Sequence, residues 1–218
     1  MTKEKTKDLV YVSVDCESTG ICIDNVDILQ IGAVIDTIPY DLDPNKLQDI
    51  DELPTYLAYF LPPNGIFKGE SQGLAMNAKI LQFIADKNKI IKEDPSKADL
   101  FVHPQKFGNR FKKWLLENSN DELRYEKDKV YTLVAGKNFD KYDRQLLSAK
   151  TDIDKHIVFR GAAIDPGILM LQPGMRKIPS LYECKEYANI ESVVTHDALD
   201  DAFDVIECLR WHYIYSKY

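Results

Sequence analysis

The sequence contains no apolar run approaching the ~18 residues that a membrane-spanning helix needs, and its opening MTKEKTKD lacks the apolar segment of a secretory leader. It therefore reads as a soluble, cytoplasmic protein with no membrane partner. Cysteine is sparse. Cys16, Cys22, Cys184 and Cys208 form no CxxC pair, which argues against a zinc site or a disulfide framework and suits a reducing compartment. Positive charge is in deficit as well: 28 Lys and Arg stand against 35 Asp and Glu, giving a net charge of -7. Broad electrostatic adhesion to nucleic acid or an anionic membrane is thereby excluded, and any contact with nucleic acid must be local. Internal repeats, low-complexity tracts and Gly/Ser linkers are missing too, so nothing divides the chain.

What is present suits one α/β domain over residues 1–218, since 44% hydrophobic residues can bury a sizeable core. β-Branched runs at 9–17 (LVYVSVDCE) and 26–36 (VDILQIGAVID) predict two adjacent antiparallel strands, and TYLAYFL before Pro62 and Pro63 predicts a third. The acidic segment 39–54, with proline at both ends, reads as a loop insertion. Helical spacing follows over 75–91 and over 104–117, where Pro104 opens the helix. A strand over 129–137, a short helix over 140–149 and a strand over 156–165 come next, and PSLYECKEYAN and the segment from Thr195 onward are helical. The order β-β-β-α-α-β-α-β-α-α describes a mixed sheet flanked by helices.

Alternation along the first strand sends Asp15 and Glu17 to one face and Val12, Val14 and Cys16 to the other. Two carboxylates so close either share a proton or neutralise a bound cation, for which oxygen-ligated divalent metal is the simplest choice. In the last helix Ala198, Ala202, Val205, Ile206 and Leu209 form the buried stripe; Asp201 falls at its edge and Asp200 points to solvent. An acid at the border of a buried face needs a counter-charge or a metal. His196 precedes this helix, with Thr195 or Asp197 as its cap. A third acid lies in AGKNFDKYDRQLL, where Asp140 and Asp143 compete. Four acids from separated elements plus one histidine are what a two-metal phosphodiesterase uses, with the ions about 3.5–4 Å apart and the histidine as base.

These residues resemble the DEDDh family of 3′-to-5′ exonucleases, relatives of RNase T, oligoribonuclease and the proofreading subunit of bacterial replicative polymerases. VDCESTG resembles the first motif, AGKNFDKYDRQLL the second and HDALDDA the third, with ILQIGAV similar to the family's second strand. The resemblance implies an RNase H-like fold, with three antiparallel strands followed by parallel ones, and 3′-to-5′ hydrolysis of single-stranded DNA or RNA ends to nucleoside 5′-monophosphates. It implies Asp15, Glu17, Asp143 and Asp201 as ligands of two Mg²⁺ or Mn²⁺ ions and His196 as general base. Aligning NFD instead of YD would make Asp140 the second-motif ligand. Ser18 and Thr19 would lie near the terminal ribose, mainly through backbone groups, and Met76 and Asn77 near the terminal base. The elaboration at 37–118 exceeds a minimal core, which suits a substrate-guiding surface or a polymerase or replication partner. The competing reading is a non-catalytic RNase H-like nucleic-acid-binding or polymerase-accessory module.

Lys106, Arg110, Lys112 and Lys113 interleave with Phe107, Phe111 and Trp114, a composition that suits gripping a strand, but the i, i+4, i+7 spacing of the aromatics favours an amphipathic helix that buries one stripe and wets the other. Lys137, Lys141 and Arg144, around the second motif, are better placed to meet a phosphate backbone.

Overall fold

In the computed structural model, which describes residues 7–119, 124–191 and 196–216, β1 (Leu9–Ser18), β2 (Ile28–Ile38) and β3 (Thr55–Phe60) form an antiparallel meander. Two short strands extend it in parallel. β4 (Phe101–Val102) joins β3, and β7 (Val134–Ala135) joins β1, giving the order β4-β3-β2-β1-β7. A second sheet holds β5 (Arg124–Glu126), β6 (Lys129–Thr132) and β8 (Ile157–Phe159), with β6 and β8 parallel. The mixed sheet with flanking helices is the expected architecture.

The faces of β1 explain the layering. Val12, Val14 and Cys16 are packed with Phe107, Phe111 and Leu115 of α4 (Pro104–Asn118) and with Leu146 and Leu147 of α5 (Asp143–Lys150). Tyr11, with Val34 and Ile38 of β2, packs instead on Ala202, Val205, Ile206 and Leu209 of α8 (Ala198–Arg210). Ser13, fully buried, donates to the Ala202 carbonyl at 2.8 Å, so α8 lies along the face that carries Asp15 and Glu17.

Several expected elements differ in extent. The helix expected over 75–91 is three pieces, α1 (Ser71–Met76), α2 (Ala78–Ala85) and α3 (Lys87–Glu93), broken at Asn77 and Asp86, residue types that compete with the helical backbone. The single strand expected over 129–137 switches sheets at Leu133, whose carbonyl accepts from Val12 N at 3.1 Å. The strand expected over 156–165 shortens to β8, with Ile164 touching Ala135 as an isolated bridge. A short α6 (Pro166–Leu169) precedes α7 (Leu181–Tyr187), and α8 runs into a π turn at Trp211–Tyr215. Thr195, one of the two candidate caps, lies outside the described residues; Asp197 caps α8 by accepting from Leu199 N at 3.0 Å.

The 39–54 insertion is a loop with two 3₁₀ turns, and Leu47, Ile50 and Leu53 pack against the α8 cluster. It is also tied down by charge. Arg210 reaches both Asp36 oxygens (3.0 and 2.7 Å) and the Gln48 carbonyl (2.9 Å), while Tyr11 donates to Asp36 at 2.8 Å. A buried ion pair is tolerable only with its remaining polar atoms satisfied, as here. Among the described residues, no helix is long and apolar enough to cross a membrane.

Candidate metal centre

Two backbone facts bring α8 to the end of β1. Gly32 is the cross-strand partner of Asp15, and a Cβ there would fall 2.2 Å from Leu199 N and 2.3 Å from the Ala198 carbonyl carbon and oxygen. Only glycine lets the first turn of α8 rest on β2 at this level. The next pair on the same face is Glu17 with Gln30, a fully buried glutamine that hydrogen-bonds the same turn.

The result is a convergence of acids. Carboxylate oxygens of Asp15, Glu17 and Asp201 lie within 4.8 Å of one another. Asp143, 5% exposed at the start of α5, stands beside this trio, and its charge is the first neighbouring charge to raise Asp15. Asp15 is held well above the usual carboxylate range by burial, then by Asp143, Asp201 and Glu17. Burial pushes Glu17 up to about 7, tempered by hydrogen bonding from Asn77. It pushes Asp143 up to about 7 against the pull of backbone N–H groups, including that of Cys16. Asp201 rises to about 6 through burial and Asp204, while His196 lowers it. Among the described residues no Lys or Arg forms an ion pair with any of the four.

That pattern fits a hard divalent cation: an all-oxygen donor set, mutually repelling and without a Lys or Arg partner among the described residues, carried on a strand and two helices. The acids alone are under electrostatic stress that a bound dication relieves.

Asp140, the competing second-motif acid, is engaged elsewhere, accepting from Ala163 N at 2.7 Å and lying 2.8 Å from Arg144 Nε. His196 is exposed, with a left-handed backbone, φ 50°, immediately before the Asp197 cap, and its charge bears on Asp201. Asp200 is exposed, as its place on the wheel implies. Ser18 Oγ is 2.6 Å from the Gly20 carbonyl and 2.7 Å from the Tyr142 hydroxyl, which also reaches Gly20. Tyr142 thus fastens α5 to the turn after β1.

Thr19 is fully buried and its polar atoms are used internally: Oγ1 accepts from Asp27 N at 2.8 Å, its N–H donates to Asp27 O and its carbonyl accepts from Glu70 N. It shapes the turn and presents nothing polar to solvent. Met76 is 54% exposed, so it is no core residue. Asn77 is 5% exposed; its Nδ2 donates to the Ser18 carbonyl at 2.8 Å, while its buried Oδ1 has no partner.

The aromatic spacing over 104–117 is borne out as a core stripe, whereas the cations around the second motif are less free than expected. Phe107 and Phe111 are fully buried, Trp114 stacks on Phe111 at 5.4 Å, and Arg110 donates to the Phe101 carbonyl at 3.2 Å, so α4 is a core helix with a wet basic face. Lys137, half-buried, pairs with Asp165 (3.1 Å) and Arg144 pairs with Asp140, leaving Lys141 exposed. Gln30 and Gly32 escaped the sequence reading. A glycine and an uncharged polar residue inside an apolar strand were the available signal.

The mixed sheet with its flanking helices shares its fold with solved RNase H-like structures. No family model matches the sequence, and no curated protein does. Among solved structures, exonuclease I of E. coli bound to a dT13 oligonucleotide is similar at TM-score 0.54 and 12% identity, over 93% of this chain and 40% of that one. A further exonuclease I structure gives TM-score 0.58 at 13% identity, with the same coverage. The moderately thermophilic exonuclease I of Methylocaldum szegediense gives 0.53 at 13%, again over 93% and 40%. The chain thus spans 40% of the length of these exonuclease I structures, and the likeness is one of fold.

Proposed function

We propose that the protein is a metal-dependent 3′-to-5′ exonuclease of the DEDDh type, releasing nucleoside 5′-monophosphates from single-stranded DNA or RNA ends. The observation that carries this reading is the convergence of Asp15, Glu17 and Asp201, with Asp143 beside them, at one end of β1. Exonuclease I, similar in fold, holds an oligonucleotide in its own structures, which supports a single-stranded substrate here.

Asp15, Glu17, Asp143 and Asp201 would hold two Mg²⁺ or Mn²⁺ ions. Such ions, when bound, lower the pKa of water and stabilise charge on the phosphate and the leaving oxygen. The rigid strand keeps Asp15 and Glu17 in register, and Asp15, Glu17 and Asp201 are half-buried, so the cluster stays open to ions and water. His196, exposed beside Asp201, takes the proton of the attacking water at its imidazole. The Ser18–Tyr142–Gly20 turn supports the chain end, Met76 offers an apolar surface to the terminal base, and the partnerless Oδ1 of Asn77 awaits a donor.

Incubation with Mn²⁺ and 5′-labelled single-stranded DNA, RNA and very short oligomers is expected to give a descending ladder that Asp15→Asn abolishes and that His196→Asn slows by about 10²-fold or more, leaving a measurable residual rate. Full activity in both variants would sink the assignment, and no ladder from the wild type on any substrate would favour a binding module.

A further inference from the structure

We propose that Gln30 is a positioning residue that fixes the first turn of α8, and with it His196, over the acidic cluster; this rests on the exonuclease reading above. Gln30 is 0% exposed and lies in β2 between Leu29 and Ile31, which are equally buried. An apolar side chain would suit that strand, and a buried amide left unpaired costs about 1–3 kcal/mol. Both ends of this amide are paired with the entry of α8, and the Tyr59 hydroxyl of β3 is also hydrogen-bonded to it. Oε1 accepts from Ala198 N at 3.1 Å, and Nε2 donates to Asp197 Oδ2 at 2.8 Å. The orientation is unambiguous, because a backbone N–H can only donate and so must face the oxygen.

Asp197 completes the device. Its other oxygen caps the helix by accepting from Leu199 N at 3.0 Å, so one carboxylate joins the helix to the strand. The strand side is the site itself: Gln30 is the cross-strand partner of Glu17, and Gly32, two residues on, pairs with Asp15 and supports Ala198 and Leu199. Residue 196 therefore enters the helix directly from a clamp built on the row that holds a metal-ligand candidate. Gln30 touches no reacting atom. Its contribution runs through the placement of His196, whose left-handed backbone gives it one defined direction of approach.

The test exchanges donor and acceptor. Gln30→Glu sets two carboxylates against each other, and Asp197→Asn sets two amides together. The double variant lets Glu at 30 accept from Ala198 N–H and from the Asn amide at 197, keeps the cap oxygen and leaves the local charge unchanged. Each single variant is expected to lower kcat on a labelled single-stranded oligomer roughly 10- to 100-fold with KM within about threefold, and the double to return to within about fivefold of wild type. In a His196→Asn background the same substitutions should change the residual rate by less than about threefold, since the group they misplace is gone. Hydrogen exchange at Ala198 N–H should quicken in Gln30→Met, which keeps the volume and serves if a charged single variant fails to fold.

Singles as active as wild type, a double no better than its worse parent, or an undiminished loss without His196 would each overturn the proposal. A wild type that hydrolyses nothing with any divalent ion overturns the exonuclease reading and this proposal with it; an active wild type separates the two.

Discussion

Replacing Glu17 by glutamine should stabilise the metal-free protein while destroying its proposed function. Burial raises the Glu17 carboxyl from 4.5 to about 7 in the folded chain, so the folded state binds that proton more tightly than the unfolded state. Ionisation is then a cost of folding: stability falls as pH rises from about 4.5 through 7 and stays low above it. The shift corresponds to about 3 kcal/mol at pH 8, about 1 kcal/mol at pH 5 and almost nothing at pH 4. Glutamine matches the shape, carries no charge and removes that cost. At 218 residues, each kcal/mol moves Tm by roughly 2–4 °C, so Glu17→Gln in EDTA at pH 8 should melt roughly 6–12 °C higher than wild type. Thermal unfolding at pH 8, 5 and 4 measures this, and the advantage should shrink along that series. Adding Mn²⁺ at pH 8 should reverse the order, because a ligand bound only by the folded wild type stabilises it by mass action. An equal or lower Tm for the variant in EDTA at pH 8, or a pH-independent gap, would refute the electrostatic reasoning.

Gly32→Ala should cost stability by about 1–3 kcal/mol or more and eliminate metal binding, since its Cβ meets α8 backbone at 2.2 Å; chemical unfolding and Mn²⁺ titration read both effects. Asp143→Asn should weaken Mn²⁺ binding at least ~10-fold, whereas Asp140→Asn should leave it within about twofold and lower stability by about 1 kcal/mol; the opposite ranking would reassign the second-motif ligand. Arg210→Met strands the buried Asp36 carboxylate and should destabilise by about 3–5 kcal/mol, with Asp36→Asn in addition recovering part of the loss in a double-mutant cycle.

The sequence was most informative where a local rule reaches the outcome. Strand alternation put Asp15 and Glu17 on one face, and the helical wheel put Asp201 beside the buried stripe; both rules depend only on spacing. The second motif needed more than spacing, because Asp140 and Asp143 fit a helix start equally well. In the structure the Ala163 N–H and the Arg144 side chain engage Asp140; Arg144 is one helical turn away, but no local pattern predicts Ala163, 23 residues on. Lys137 failed for the same reason: its cation looked free beside the motif, yet Asp165 neutralises it. The strand over 129–137 reads as continuous because β propensity is indifferent to which sheet a residue joins. The break over 75–91 was hidden by an apolar spacing that survives the interruptions at Asn77 and Asp86.

The left-handed backbone of His196 determines what a knock-out at that position can mean. Most L-residues meet a steric cost of roughly 1–2 kcal/mol in this conformation, whereas asparagine, like histidine, visits it readily. An alanine there would remove the imidazole and also invite the chain to relax into ordinary dihedrals, drawing the Asp197 cap and the first turn of α8 with it. Loss of activity would then have two causes that no rate measurement separates. Asparagine deletes the imidazole and leaves the turn, so any damage it does reports on the lost side chain and not on a relaxed backbone.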